Sequence, residues 1–129
     1  MIKVNREAKA ERKTREVEIS VWINLDGKGE SYIDTEIKFL DHLLATLAKH
    51  ALFDLEVKAR GDLKHHVCED VALTLGEAIN KALRDRKGIR RFGFAYVPMD
   101  DSLARAAVDL GGRPYAPVSY THLTLPTKA

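Results

Sequence analysis

The segment GDLKHHVCED sets two imidazoles side by side, His65 and His66, with the carboxylates Glu69 and Asp70 three to five positions on. Neutral ring nitrogens and an anionic oxygen together are a donor set for a borderline divalent cation such as Mn, Fe, Zn or Ni. If a helix already includes His65, then His65 and Glu69 stand at i and i+4 and share one face. Adjacent histidines point in different directions, so one pair does not readily chelate a single ion. That geometry suggests two metals, or a site shared between chains. The spacing alone fits a second reading equally: carboxylates favouring the positive end of a helix, beside surface histidines.

Other residues could join such chemistry. In FLDHLLATLAKH, His42 and His50 fall roughly 80° apart on a helical wheel, away from the leucine stripe, and either could be a ligand or a base. Glu16 projects from the polar face of a strand beside Glu18, where most glutamates are ordinary surface residues. Arg91 in GIRRFG and Arg113 in GGRP flank turns and carry the planar fork that grips phosphate bidentately, although such arginines are common on surfaces. Cys68 belongs to no cysteine-based metal or redox motif and reads as a small hydrophobe near the histidines.

These residues need elements to hold them. From Thr14 to Leu25, Val17, Ile19, Val21, Ile23 and Leu25 alternate with polar neighbours, the period of a strand with one buried face. Asp26-Gly27 then predicts a hairpin turn into the short run Ser31 to Asp34. Phe39, Leu40, Leu43, Leu44, Leu47, Ala48 and Ala51 recur at helical spacing, predicting an amphipathic helix from about Phe39 to His50. Phe53 to Ala59 reads as a strand ending at Gly61. A longer helix follows from about Val67 to Arg86, with Val71, Leu75, Ala78, Ile79, Ala82 and Leu83 inward and Gly88 as its stop. Phe92 to Val97 and Leu103 to Leu110 read as two more strands.

Strands feeding helices that cover one sheet face predict an α+β fold, a two-layer sandwich rather than a doubly wound sheet. INLDGKG at Ile23 and VDLGGRP at Val108 share a strand ending in a glycine turn, a faint internal repeat. We therefore divide the chain into a first half-domain (1–88), the start of a second similar one (89–118) and a tail of Thr, Ser and Pro (119–129) that reads as flexible or non-native.

Composition bounds the rest. With 129 residues, 45% hydrophobic and 31% charged, the chain has the make-up of a soluble globular domain. No apolar run reaches membrane-spanning length, and the charged N-terminus lacks the apolar core of a secretory signal, so the cytoplasm is the expected location. A single cysteine precludes an internal disulfide. A net charge of +2, with basic and acidic residues interleaved, gives no stripe for nucleic acid.

Taken in order, RKTRE, INLDGKG, FLDHLLATLAKHALFDLEVKARGD, HHVCEDVALTLGEAI, RKGIRRFG, VPMDDSL and VDLGGRPY closely resemble the imidazoleglycerol-phosphate dehydratases, over about Arg6 to Pro117. The resemblance implies two half-domain copies per complete chain, large homo-oligomeric cages and manganese at subunit interfaces. It implies that His42, His65, His66 and Glu69 are metal ligands, and that Glu16 contacts substrate and moves its proton. It likewise implies that Arg91 and Arg113 hold the substrate phosphate and that His50 closes a substrate-lining helix segment. Three departures stand out. The approach from Gly61 to His65 is a few residues shorter than the family pattern. Glu36 and Lys38 stand where glycine and proline are usual. The second DH-like helix, second HHxxE and following lysine are absent, the pattern ending near Ser119.

The implied reaction converts imidazole glycerol phosphate to imidazole acetol phosphate. The proton removed is not acidic by itself, and metal on the substrate imidazole supplies the electron sink by stabilising an imidazolate-like intermediate before water leaves. Glu16, His42 and Glu69 are the residues placed in the catalytic machinery on this reading. Two alternatives remain: an inactive fragment with partial or purely structural metal binding, and an unrelated metallohydrolase using His65, His66 and Glu69, which leaves GIRRFG and GGRP unexplained. A nucleic-acid-binding module is weaker, for want of a basic, aromatic-studded face.

Overall fold

The computed structural model describes residues 5–118, which fall into two compact units divided between Ile89 and Arg90. The reading of 119–129 as a tail lies outside the described residues.

In the first unit a four-stranded sheet has the order β1-β2-β4-β3, from β1 (Glu7–Lys13), β2 (Val17–Asn24), β3 (Ser31–Asp34) and β4 (Asp54–Gly61). Helices α1 (Lys38–Ala51) and α2 (Lys64–Leu83) cover one face, as the alternating strands require. The buried row runs across the central pair, with Ile19 opposite Ala59, Val21 opposite Val57 and Ile23 opposite Leu55. Onto it α2 lowers Val67, Val71, Leu75, Ala78 and Ala82, and α1 lowers Leu44 and Ala48. The α+β expectation therefore holds.

Several local expectations do not. Asp26-Gly27 does make a turn, but β3 does not pair with β2: β4 inserts between them, antiparallel to β2 and parallel to β3. The expected hairpin is a crossover: β2 pairs with β4 along its whole length, Val17 to Asn24, and β3 takes the far side of β4. β1 escaped the sequence reading, since EAKAERK offers only Ala8 and Ala10 to the covered face. Helix α2 starts three residues before Val67 and stops at Leu83; the reversal is made by Arg84 at a φ of 55°, ahead of Gly88. On α1, Leu44 and Ala48 are buried, whereas Phe39, Leu43 and Leu47 of the predicted stripe stay 70, 48 and 40% exposed.

The second unit is a hairpin of β5 (Phe92–Met99) and β6 (Ser102–Asp109), antiparallel and exposed along its whole length. Among the described residues no helix is long and apolar enough to cross a membrane.

Candidate functional site

Register decides which residues meet. Val17, the first residue of β2, faces Gly61, the last of β4, and Asp34 at the end of β3 faces Lys58. The β1–β2 turn with Glu16, the entry to α1 and the entry to α2 consequently share one end of the sheet. Gly61 makes the approach close: a Cβ there would lie 2.6 Å from Val67 Cγ2 and 3.0 Å from the Glu16 carbonyl oxygen. The Asp62 amide donates to that same carbonyl at 3.0 Å.

Beginning α2 at Lys64 puts His65 and His66 on its first turn. His66 Nδ1 lies 2.7 Å from Asp62 Oδ1 and 3.4 Å from Glu16 Oε2, while Asp62 Oδ1 also accepts the Leu63 amide at 2.7 Å. The hydrogen bond to Asp62 raises the His66 pKa, with the Glu16 charge adding to it, and the same bond lowers that of Asp62. The His65 ring is stacked obliquely on His66, centroids 4.2 Å apart. Glu69 follows on the exposed side of the helix and Cys68 is half-buried beside it.

The entry to α1 is fixed differently. The buried Thr35 donates its hydroxyl to Asp41 Oδ1 at 2.5 Å, and its amide donates to the same oxygen at 2.9 Å, which anchors the first turn and leaves the next residue, His42, exposed. His50 sits near the other end of α1, roughly 12 Å along the axis at 1.5 Å per residue. Thus Glu16, His65 and His66 are brought together, His42 shares their end of the sheet, and His50 does not.

In the second unit Arg91 and Arg113 line one cleft of about 540 Å³ with Ala107, Asp109, Gly111, Tyr115 and Pro117. Arg91 is held by Asp109 through Nε to Oδ1 at 2.6 Å and Nη2 to Oδ2 at 3.2 Å, which raises the pKa of the arginine and lowers that of the aspartate. Asp62 and Asp109 were both missed from sequence. Asp62 stands four residues before His66, an i,i+4 signal obscured because α2 was expected to begin later.

Imidazoles and a carboxylate suit a divalent borderline cation. An imidazole whose Nδ1 faces a carboxylate also has the surroundings of a metal-bound histidine. Yet among the described residues no three His, Cys, Asp or Glu side chains stand where they could hold one ion together. Donor chemistry fits; the complete ligand set is not assembled within these residues.

A two-layer α+β unit with a histidine and carboxylate rim at one sheet end is the class this architecture defines. The family model for imidazoleglycerol-phosphate dehydratase matches residues 35–127, extending past Ser119 where the motif pattern had been expected to end. The enzyme of that name from Mycolicibacterium smegmatis is 57% identical over 86% of this chain and 55% of its own length. That from Methanothermobacter thermautotrophicus is 54% identical over 89% of this chain and 60% of its own. Among solved structures, imidazoleglycerol-phosphate dehydratase from Staphylococcus aureus matches with a TM-score of 0.74 at 33% identity, covering 91% of this chain and 67% of that one. The Pyrococcus furiosus structure matches at 0.70 and 39%, covering 86% and 60%. The chain belongs to the imidazoleglycerol-phosphate dehydratase family, and spans about half the length of the curated relatives it matches.

Proposed function

We propose that the chain carries part of the site of a cytoplasmic, homo-oligomeric hydro-lyase of histidine biosynthesis, converting imidazole glycerol phosphate to imidazole acetol phosphate. The observation that carries this reading is the convergence of Glu16, Asp62 and His66 beside His65 at one sheet end.

His42, His65, His66 and Glu69 are the residues that would hold manganese, in sets completed by ligands beyond these. Bound there, the metal would supply Lewis-acid stabilisation of charge developing on the substrate imidazole. Glu16 takes the substrate proton, its carboxylate standing at the rim and only 53% exposed. Arg91 and Arg113 bind the phosphate, which replaces Asp109 as the partner of the Arg91 fork. His50 contributes to the substrate-lining surface from the far part of α1.

A second reading, in which this length of chain folds but does not turn over, is favoured by the lack of a three-ligand cluster among the described residues. One experiment separates them: metal content and turnover are measured with manganese on this chain and on a version extended by the remaining length of a relative. Turnover by this chain, lost in His65→Ala, supports activity without the added length. Turnover only by the extended chain, again lost in His65→Ala, supports the second reading. No turnover by either would sink the proposed activity.

A further inference from the structure

Resting on the reading of His66 as a metal ligand, we propose that Asp62 is a positioning residue that keeps the His66 proton on Nδ1 and so presents the Nε2 lone pair outward to a divalent cation. A neutral imidazole bears one N–H, and which nitrogen carries it follows from the hydrogen bond the ring makes. Here, among the described residues, the carboxylate oxygen hydrogen-bonded to Nδ1 belongs to Asp62, at 2.7 Å, while Glu16 Oε2 stands off at 3.4 Å.

Asp62 is itself well held. Its amide donates to the Glu16 carbonyl, which ties its backbone to the β1–β2 turn, and its Oδ1 accepts the Leu63 amide, which ties its carboxylate to the start of α2. One oxygen thereby orients the ring and defines the helix entry. A second consequence concerns Glu16. With Nδ1 satisfied by Asp62, the Glu16 carboxylate is not committed to the histidine and remains available to substrate.

The short connection makes this possible. Gly61, Asp62, Leu63 and Lys64 take the chain from β4 into α2, placing Asp62 one helical turn before His66.

The test is nitrogen-15 NMR of His66 in the full chain at a pH where the ring is neutral, with manganous ion alone as the binding probe. The expected wild-type state is the Nδ1–H form. Asp62→Ala is expected to shift His66 toward Nε2–H and to weaken manganese binding roughly 10–100-fold, the usual effect of losing such a partner. Asp62→Asn, which keeps an acceptor oxygen for both the ring and Leu63, is expected to restore the tautomer and most of the affinity. A wild-type Nε2–H ring, or an Nδ1–H ring that survives Asp62→Ala, overturns the role of Asp62. Unchanged manganese affinity in His66→Ala overturns the ligand reading instead, whatever the tautomer.

Discussion

At the scale of single residues, Glu36 shows what a side chain costs where the backbone wants none. It sits at a φ of 64° in the turn between β3 and α1, the left-handed region that a Cβ disfavours. Its ion pair with Arg60, 3.4 Å and solvent-exposed, returns little. Glu36→Gly is therefore expected to stabilise the fold by about 0.5–1 kcal/mol, the relief of strain being partly offset by the freer unfolded chain. Chemical denaturation measures it, and a lower midpoint in the glycine variant would refute the strain. At this scale the candidate site was legible in part: spacing singled out His65 and His66, the family resemblance singled out Glu16, and neither singled out Asp62. Its role depends on α2 beginning at Lys64 and on Gly61 admitting the helix close to the Glu16 carbonyl, and neither is written in local periodicity.

At the scale of elements, periodicity foretold α1, α2 and every strand of the described residues except β1, but not who pairs with whom. Asp26-Gly27 signals a turn, and a turn followed by a strand ordinarily means a hairpin. What redirects the chain is Asp54 at the start of β4, whose Oδ1 accepts the amides of Lys28 at 2.8 Å and Glu30 at 3.0 Å. It pins the loop across the end of β4 so that β3 emerges on the far side. Those two backbone bonds, the larger influences, hold the Asp54 pKa below its ordinary 3.8. The sign follows: a depressed carboxylate contributes stability that is complete above the unfolded value and is lost as pH falls below 3.8 through the folded value. Asp54→Asn keeps an acceptor oxygen but cannot titrate. Denaturation midpoints from pH 5 down to about 2.5 should thus fall less steeply in the variant than in wild type. Parallel acid limbs would remove Asp54 from the account.

At the scale of the whole chain, the two antiparallel hairpins share one pairing register. Ala8 faces Ile23 in the first hairpin, and Gly93 faces Val108 in the second, each displaced by the same number of positions. The two hairpins differ in what covers them. In β1–β2 the row Ala10, Val21 and Ile23 is buried under α2, whereas the corresponding row of Ala95, Ala106 and Val108 is exposed. Two strands without a covered face are marginal in water, because backbone pairing alone does not offset the entropy of ordering them. Amide exchange should separate the two. Protection in β2 and β4 should approach that of global unfolding, and protection in β5 and β6 should be lower by at least roughly 100-fold. Extending the chain by the remaining length of a relative should raise protection in β5 and β6 toward that of β2, if the added segment supplies the cover that α2 gives the first hairpin. Equal protection in the unextended chain would mean that the second hairpin has a source of stability other than burial.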